Sequence, residues 1–297
     1  MFMNNIATKQ NEQNQINRLS AQRYLYSKAK ALFIVRLLIS LFIAICAPIL
    51  MIKFTEIQFY VALFAIFYFI FDLLFLRRYE SDDRSSAAKI QEMFDIDLFG
   101  ISWNDVVADS KVDEEKIISC ADNYKKKNKN LDNLYDWYPK CIADVDMPVA
   151  IAICQRINIW WDVNLRKKLF WSIIFFIVLL TLVLFVFGKN LANSVFFLFP
   201  MLPFYEVIIN YAISQSNSIK RILNLKNKIE KLLDDKKLLF DEIKASILLR
   251  SIQDEIFRHR ESCIFIPDWF YKLFRNKQED QMNYSAQYYI DNFNNKQ

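Results

Sequence analysis

Four long apolar stretches constrain this 297-residue chain more than any other feature. They cover residues 31–52, 57–76, 169–187 and 191–213. Roughly 20 apolar residues of helix cross the hydrocarbon core of a bilayer, and each stretch is about that long. A helix that is apolar on every face over such a length is unusual in a soluble protein. The sequence therefore predicts an all-α integral membrane protein with four transmembrane helices.

Short connections and flanking charges predict the topology. Residues 53–56 join the first two spans and residues 188–190 join the last two, so each pair forms an antiparallel hairpin. Lys53 and Lys189 lie on one side of the predicted membrane. Far more basic residues lie on the other side: Lys28, Lys30, Arg77, Arg78, Arg166, Lys167, Lys168, Lys220 and Arg221. The positive-inside rule then places both termini and the middle segment in the cytoplasm of a multi-pass protein.

The polar segments divide the chain into five parts. The middle segment is too long for an ordinary connection and shows helical periodicity, so it is predicted to be a helical cytosolic lobe. Residues 11–30 are predicted to enter the first span as one helix, and the helix after Pro148 to continue into the third. The predicted parts are an N-terminal helix (1–30), transmembrane hairpin 1 (31–76), the lobe (77–168), transmembrane hairpin 2 (169–213) and a cytosolic C-terminal part (214–297).

The C-terminal part is predicted to begin with one long helix, from about residue 216 to about residue 260. At 1.5 Å per residue it would extend about 65 Å from the membrane. Apolar residues recur on it at spacings of three and four with one lapse at Lys236: Ile222, Leu225, Ile229, Leu232, Leu239 and Ile243. This pattern fits either a coiled-coil seam or an amphipathic helix packed on the chain's own lobe. The following sequence IPDWFYKLFR is predicted to lie on the membrane surface, and the tail after Lys277 to be disordered.

Few residues are arranged for catalysis. The two glycines, Gly100 and Gly188, are far apart, which excludes a phosphate-binding loop and a dinucleotide-binding turn. The single histidine, His259, has no metal-ligand spacing around it, and no G-x-S-x-G motif occurs. The five cysteines form no C-x-x-C pair, so free thiols are expected. We therefore expect no enzymatic activity, no metal and no cofactor.

Charged and polar groups inside the spans are candidate functional residues. Arg36 in the first span and Asp72 in the second lie at matching depths and are expected to pair across the hairpin. Glu206 lies deeper in the fourth span, one helical turn before Asn210. An intramembrane carboxylate of this kind lines a polar path or an oligomer seam, or it bonds to a neighbouring span. The sequence leaves these alternatives open.

Two polar clusters could bind a soluble ligand, because arginine pairs with phosphate and a tryptophan face stacks on a base. They are Gln155, Arg156, Asn158, Trp161, Asp162 and Arg166, and Arg250, Gln253, Asp254, Arg258, His259 and Arg260. A structural role is the simpler interpretation for both, since Arg250, Asp254 and Arg258 also have the spacing of a helical salt-bridge ladder. The predicted ligand-binding residues are Gln155, Arg156, Asn158, Trp161, Arg166, Arg250, Arg258 and Arg260.

Five sequence blocks carry a resemblance to a known family. They are NNIATKQNEQNQINRLSAQRYLYSKAK, FDIDLFGISWND, LYDWYP, ICQRINIWWDVNLR and RSIQDEIFRHRESCIFIPDWFYKLFR. Together, and in this order, they resemble the SMODS-associated four-transmembrane effector family over nearly the whole chain. The resemblance assigns no binding residues, so the two arginine-containing clusters come from residue chemistry alone.

The resemblance implies a function. Members of that family belong to bacterial antiphage systems in which a nucleotidyltransferase makes a cyclic oligonucleotide on infection. The chain would be the effector, which on binding the nucleotide oligomerises or rearranges, permeabilises the inner membrane and halts the infected cell. The expected partners are membrane lipid, a cyclic oligonucleotide and further copies of the chain. No DNA or RNA binding is expected, because the net charge of +5 lies mainly beside the spans.

Two other functional classes remain open at the sequence level. A constitutive small ion channel or transporter could use Glu206, although such proteins more often carry further charged or interrupted spans. A membrane-anchored scaffold would need only the predicted coiled-coil helix and the cytosolic lobe.

Overall fold

The computed structural model describes residues 4–187, 191–263, 265–266, 270 and 284–293. All regular secondary structure in these ranges is helical. The chain divides into two compact units, and each is built from several separate stretches of sequence. Unit one comprises Met1–Ser27, Arg84–Arg166 and Ser218–Gln297, and unit two comprises Lys28–Asp83 and Lys167–Asn217.

The described helices differ widely in length, from 4 residues in α1 to 44 in α8. The first half contains α1 (Ile6–Lys9), α2 (Gln13–Lys53), α3 (Gln58–Phe71), a π-helical turn (Asp72–Leu76), α4 (Arg77–Phe99), α5 (Asp105–Ala108) and α6 (Glu114–Lys127). The second half contains α7 (Met147–Phe187), α8 (Leu191–Asp234), α9 (Lys236–Phe240), α10 (Glu242–Ser262) and α11 (residues 284–293).

Unit two exposes large apolar side chains. Phe59, Tyr60 and Phe67 on α3 are each about two-thirds exposed, while Ala65 on the same helix is buried. Within the described residues, two helical stretches are long and apolar enough to cross a membrane, Gln13–Ala47 and Gln58–Phe99. An apolar surface of this size marks a contact with a membrane or another protein.

Two predictions about long continuous helices are confirmed. Helix α2 begins at Gln13 and continues through the first predicted span, so the N-terminal polar segment enters that span without a break. Helix α7 begins at Met147 and continues through the third predicted span to Phe187. The predicted turn between the third and fourth spans, at residues 188–190, lies outside the described residues.

The predicted long C-terminal helix is wrong. The chain leaves the helix at Asp235 and again at Asp241, which separates α8, α9 and α10. Both aspartates act as N-caps, because the Asp235 carboxylate accepts from the Leu238 amide and the Asp241 carboxylate from the Lys244 amide. A side chain that bonds to the backbone in this way competes with helix continuation. The single projecting helix of about 65 Å is therefore absent.

The heptad-like apolar residues pack inside unit one. Five of the six are at most 3% exposed and belong to its largest hydrophobic core: Ile222, Leu225, Ile229, Leu232 and Leu239. Ile243 is 73% exposed. The apolar face of this region thus packs on the chain's own lobe, the second of the two interpretations that the pattern allowed.

The end of the chain differs from the predicted disordered tail. Residues 284–293 form α11, and its residues Ala286, Ile290 and Phe293 are buried in the core of unit one. Their spacing of four and then three places them on one face of a helix. This apolar face is not apparent from composition, because the tail as a whole is polar. Most of the predicted membrane-surface segment, residues 267–269 and 271–275, lies outside the described residues.

Candidate functional site

A buried charge cluster joins the helices of the first hairpin. Arg36 donates to the two carboxylate oxygens of Asp72, from Nε at 2.6 Å and from Nη2 at 2.8 Å. Its Nη1 donates to Glu80, and the Tyr68 hydroxyl donates to the Arg36 carbonyl. The predicted Arg36–Asp72 pair is therefore present, with a second carboxylate that lies beyond the predicted end of the span. A bidentate arginine of this kind joins α2 to the π-helical turn.

Glu206 belongs to a second cluster. Its carboxylate accepts from Arg77 at the start of α4 and from Asn210 one turn further along α8. The side chains of Arg77 and Glu206 are 36% and 21% exposed. Glu206 thus bonds to a neighbouring helix, one of the alternatives left open above. Arg77 had been assigned only to membrane topology, because its partner is distant in sequence.

The first predicted ligand cluster faces the interior of unit one. Gln155 is fully buried and donates to the Leu249 carbonyl at 2.8 Å. Asn158 donates to the Tyr138 hydroxyl at 2.8 Å, and Arg166 is buried. The side chains of Trp161 and Asp162 lie outside the described part of the chain.

The second predicted cluster is also largely occupied by protein groups. Arg250 Nη2 donates to Glu92 at 2.6 Å and to Asp254 at 2.7 Å. Arg260 Nη1 donates to Asp95 Oδ2 at 2.6 Å. Of the predicted ladder, the pair of Arg250 with Asp254 forms, whereas the half-exposed Arg258 bonds to Glu255 instead.

The two clusters meet in one buried network. Gln253 Nε2 donates to Glu92 at 2.7 Å and to Asp95 at 3.2 Å, and its Oε1 accepts from Gln155. The Tyr138 hydroxyl donates to Asp95 Oδ1 at 2.6 Å. Helices α4, α7 and α10 are joined through these bonds. The sequence analysis missed Glu92 and Asp95, since on an amphipathic helix they look like ordinary surface acids.

Burial governs the ionisation of this network. It raises the pKa of Glu92, against the opposing effect of the Arg250 guanidinium. It also raises the pKa of the Tyr138 hydroxyl, in the same direction as the neighbouring Asp95 charge. Burial alone would lower the pKa of Arg260, but the charges of Asp95, Tyr138 and Glu92 outweigh it and raise that pKa. The network is an ionic core of unit one in which Arg250 and Arg260 are paired with carboxylates. It is not fully satisfied, since Arg250 Nε, Arg260 Nη2 and Gln155 Oε1 are buried without a hydrogen-bond partner among the described residues.

Arg156 lies apart from that network. Its Nε and Nη2 donate to Glu230 Oε1 at 3.2 and 3.0 Å, and its Nη1 donates to the Ser285 hydroxyl at 2.7 Å. The guanidinium carbon lies 4.3 Å from the centroid of the Tyr289 ring. The Tyr289 hydroxyl donates to Glu230 Oε1 at 3.2 Å. Arginine pairs with phosphate as well as with carboxylate, and its guanidinium plane stacks on bases as well as on aromatic side chains. We call Arg156, Glu230, Ser285 and Tyr289 the Arg156 site.

The described residues contain no group of three or more His, Cys, Asp or Glu side chains placed to bind a metal ion. None of the five cysteines, all of which lie in the described part of the chain, forms a disulfide.

Comparison with known proteins identifies the family. A model of the SMODS-associating 4TM effector domain matches residues 4–289. A protein of Bacillus cereus (strain VD146), named a probable CBASS effector molecule, is 30% identical over 293 residues, which cover 92% of this chain and 94% of that protein. No solved structure gives a significant match. The chain therefore belongs to the family of SMODS-associating 4TM effector domains.

Proposed function

We propose that this protein is an antiphage effector that permeabilises the bacterial inner membrane when a cyclic oligonucleotide binds it in the cytosol. Family membership supports the effector role, and the related protein of Bacillus cereus is named as an effector of the CBASS type. The observation that carries the membrane action is the exposed aromatic and aliphatic surface of unit two. Such a surface is stable in lipid and costly in water.

The proposed topology has four spans with both termini inside the cell. The first span lies within α2, and the second extends over α3 and the π-helical turn. The last two lie within the second half of α7 and the first half of α8. The basic residues beside the span ends support a cytoplasmic location for residues 1–30, 77–168 and 214–297. The two outer turns are short, so a trigger from outside the cell would have almost no protein to bind.

Permeabilisation would require several copies of the chain. The described polar side chains of the spans pair with each other, as Arg36 does with Asp72 and Arg77 with Glu206. A single set of four such spans offers no wide polar path, because its helices pack with apolar contacts. A homo-oligomer in which rearranged protomers surround a pore resolves this difficulty. A protein that stays monomeric in detergent with and without its activator would contradict the proposal.

The proposed ligand is a cyclic oligonucleotide, and the Arg156 site is the best candidate for its recognition. Among the predicted binding residues, Gln155, Arg250 and Arg260 are committed to the ionic core. Arg156 lies outside that core and contacts the Tyr289 ring of α11. No enzymatic step is needed for this action, since ligand binding supplies the free energy for the rearrangement.

Dye release from liposomes tests the proposed function. The purified protein is reconstituted into vesicles of phosphatidylethanolamine and phosphatidylglycerol, and a panel of cyclic di- and trinucleotides is added. We expect one nucleotide to release the dye rapidly, while the linear forms of the same nucleotides do not. Vesicles without protein control for lipid damage. Absence of release with every cyclic nucleotide, from protein shown to be inserted and folded, would contradict the proposed activation.

A constitutive ion channel is the second candidate, because the Arg77–Glu206–Asn210 cluster is a partly exposed polar group in unit two. A channel of this kind would conduct without any nucleotide. The substitution Glu206→Gln removes the charge with little change of shape, so it should alter conductance if Glu206 lines the path. A scaffold would show neither conductance nor release, and its partner binding would survive the same substitution.

A further inference from the structure

Helix α11 covers one side of Arg156. The Ser285 hydroxyl accepts from Arg156 Nη1 at 2.7 Å, and the Tyr289 ring lies against the guanidinium with its centroid at 4.3 Å. Glu230 on α8 accepts from Nε and Nη2 of the same guanidinium. With α11 in place Arg156 is only 7% exposed. The helix therefore supplies both a hydrogen-bond acceptor and a stacking face to a buried arginine.

Three apolar side chains of α11 are buried in the core of unit one. Its apolar anchors are Ala286, Ile290 and Phe293, and the last of these packs on Phe240 with ring centroids 6.0 Å apart. Its opposite face, which includes the exposed Tyr288, makes no described contact with the core. So short a helix is not stable by itself in water, because nucleation is costly and few backbone bonds repay it. Its folded state therefore depends on docking, and it belongs to the less stable part of unit one.

The groups that α11 presents to Arg156 match those of a nucleotide. An oxygen at Nη1 is what a phosphate would supply, and an aromatic ring on the guanidinium plane is what a base would supply. Lys226, whose Nζ lies 3.5 Å from Glu230 Oε1, adds a second cation to the site. Two cations against one carboxylate leave the site with a net positive charge suited to an anionic ligand. Departure of α11 would also open the apolar surface that Ile290 and Phe293 now cover.

The same contacts connect two long helices. Arg156 lies on α7 and Glu230 on α8, and Tyr289 contacts both through its ring and its hydroxyl. Each of these helices contributes residues to both units of the chain. A change at the Arg156 site therefore acts on the two helices that carry the third and fourth predicted spans.

From these contacts we propose that α11 is an autoinhibitory latch. In the resting protein Ser285 and Tyr289 occupy the Arg156 site. A cyclic oligonucleotide replaces them with a phosphate oxygen and a base, α11 leaves, and α7 and α8 are freed to rearrange. The identity of the ligand rests on the proposed function, whereas the latch rests on the contacts of α11 alone.

The test uses the full chain in the same liposomes, first without nucleotide. The substitution Tyr289→Ala removes the stacking face and the bond to Glu230, and it should raise dye release at least about tenfold, as expected when a closed state loses its stabilising contacts. Amide exchange in residues 284–293 should become faster in parallel. Tyr289→Phe keeps the ring on Arg156 and should remain closed. Tyr284→Ala, at a 77% exposed position of the same helix, is the matched control and should behave like the unsubstituted protein.

Two results with the Tyr289→Ala variant would overturn the latch. One is unchanged exchange in residues 284–293, and the other is faster exchange without more dye release than Tyr284→Ala gives. Ser285→Ala is a milder variant that separates loss of the latch from misfolding. It deletes one hydrogen bond and should raise dye release modestly. If Tyr289→Phe leaks as much as Tyr289→Ala, ring stacking is not the restraint and the latch as described is wrong.

The nucleotide part is judged separately on the unsubstituted protein. An activating cyclic nucleotide should speed amide exchange in residues 284–293, and it should bind the Tyr289→Ala variant about tenfold more tightly because no latch competes. Activation with unchanged exchange in this helix would overturn displacement. If Tyr289→Ala leaks but no cyclic nucleotide opens the unsubstituted protein, the latch stands and the proposed nucleotide activation fails.

Discussion

The side chain of Arg36 forms ion pairs with two buried carboxylates of unit two. It is 4% exposed and bonds to Asp72 and to Glu80, which are equally buried. Taking three charges out of water is costly, and the cost is offset only when every group keeps good partners. Removal of one member therefore leaves buried charge without compensation.

Replacement of Arg36 should destabilise the protein strongly. Arg36→Ala leaves two buried carboxylates facing each other, and breaking a buried pair in this way costs about 3–5 kcal/mol. Lys28→Ala, which breaks the more exposed pair with Asp83, should cost less than about 1 kcal/mol. Thermal unfolding in one detergent measures both variants. Equal effects of the two substitutions would show that burial does not determine the energy of these pairs.

Asp97 should make the stability of unit one dependent on pH. Partial burial raises its pKa, but hydrogen bonds from Lys9, Gln15 and Arg18 outweigh that effect and hold the pKa below its usual value. A lowered carboxyl pKa stabilises the folded state above the unfolded pKa, which is about 3.9. This stabilisation is lost as the pH falls through the folded pKa.

The substitution Asp97→Asn tests this linkage. At pH 6–7, about two to three units above an ordinary aspartate pKa, the variant should unfold at a lower temperature than the unsubstituted protein. The difference should shrink below about pH 4, as the carboxyl becomes protonated in both states. Asp122→Asn, at an exposed position on α6, is the control and should change little at any pH. A difference that stays constant with pH would exclude ionisation of Asp97 as its cause.

At the scale of helices, the π-helical turn Asp72–Leu76 affects which neighbouring helices the side chains at the end of the second span contact. Residues five apart in an α-helix point about 140° away from each other, whereas i→i+5 bonding aligns them roughly one turn apart. Asp72 and Arg77 are five residues apart, and both make intramolecular ion pairs. The turn lets one helix bond to α2 through Asp72 and to α8 through Arg77.

A charge exchange tests the connection of α4 with α8. Arg77→Glu and Glu206→Arg each place like charges together and should lower the unfolding temperature. The double substitution restores opposite charges, and a coupling of about 1 kcal/mol is expected for such contacting residues. Arg78→Glu, on the exposed side of the same turn of helix, should show no coupling with Glu206→Arg. Additive effects of the exchanged pair would indicate that the ion pair contributes nothing.

The sequence predicted the long helices correctly but misjudged the elements near the C-terminus. Helices α2 and α7 could be predicted because residues 11–30 and 149–168 contain no glycine or proline that would separate them from the apolar spans that follow. The helix break at Asp241 is hard to predict, because an aspartate can either lie within a helix or cap the start of a new one. Helix α11 could not be predicted from propensity, since its stability comes from the core that receives Ile290.

The two compact units do not correspond to consecutive segments of the chain. Unit two consists of two sequence-distant stretches, and the three stretches of unit one flank them. The long helices α2, α7 and α8 contribute to both units. In the proposed function, these helices are the connection through which binding in unit one acts on the predicted spans.

Cysteine labelling tests the predicted topology of the whole molecule. In a background without the native cysteines, Thr55→Cys in the first outer turn should react with a membrane-impermeant maleimide on intact cells. Ser110→Cys in the middle segment should react only after the cells are opened, because that segment is predicted to be cytoplasmic. The reverse pattern would invert the topology, and labelling of both positions on intact cells would contradict the first hairpin.

The helical class, the apolar spans and the pairing of Arg36 with Asp72 could be predicted from the sequence, because long apolar runs and matched depths are local or periodic properties. The partners of the other charged groups depend on the tertiary structure. Gln155 and Gln253 meet between α7 and α10, and Arg156 meets Tyr289 across more than a hundred residues. Contacts of this kind depend on how distant helices pack, and no spacing within one helix encodes them. That is why two predicted ligand clusters became an ionic core and one covered arginine.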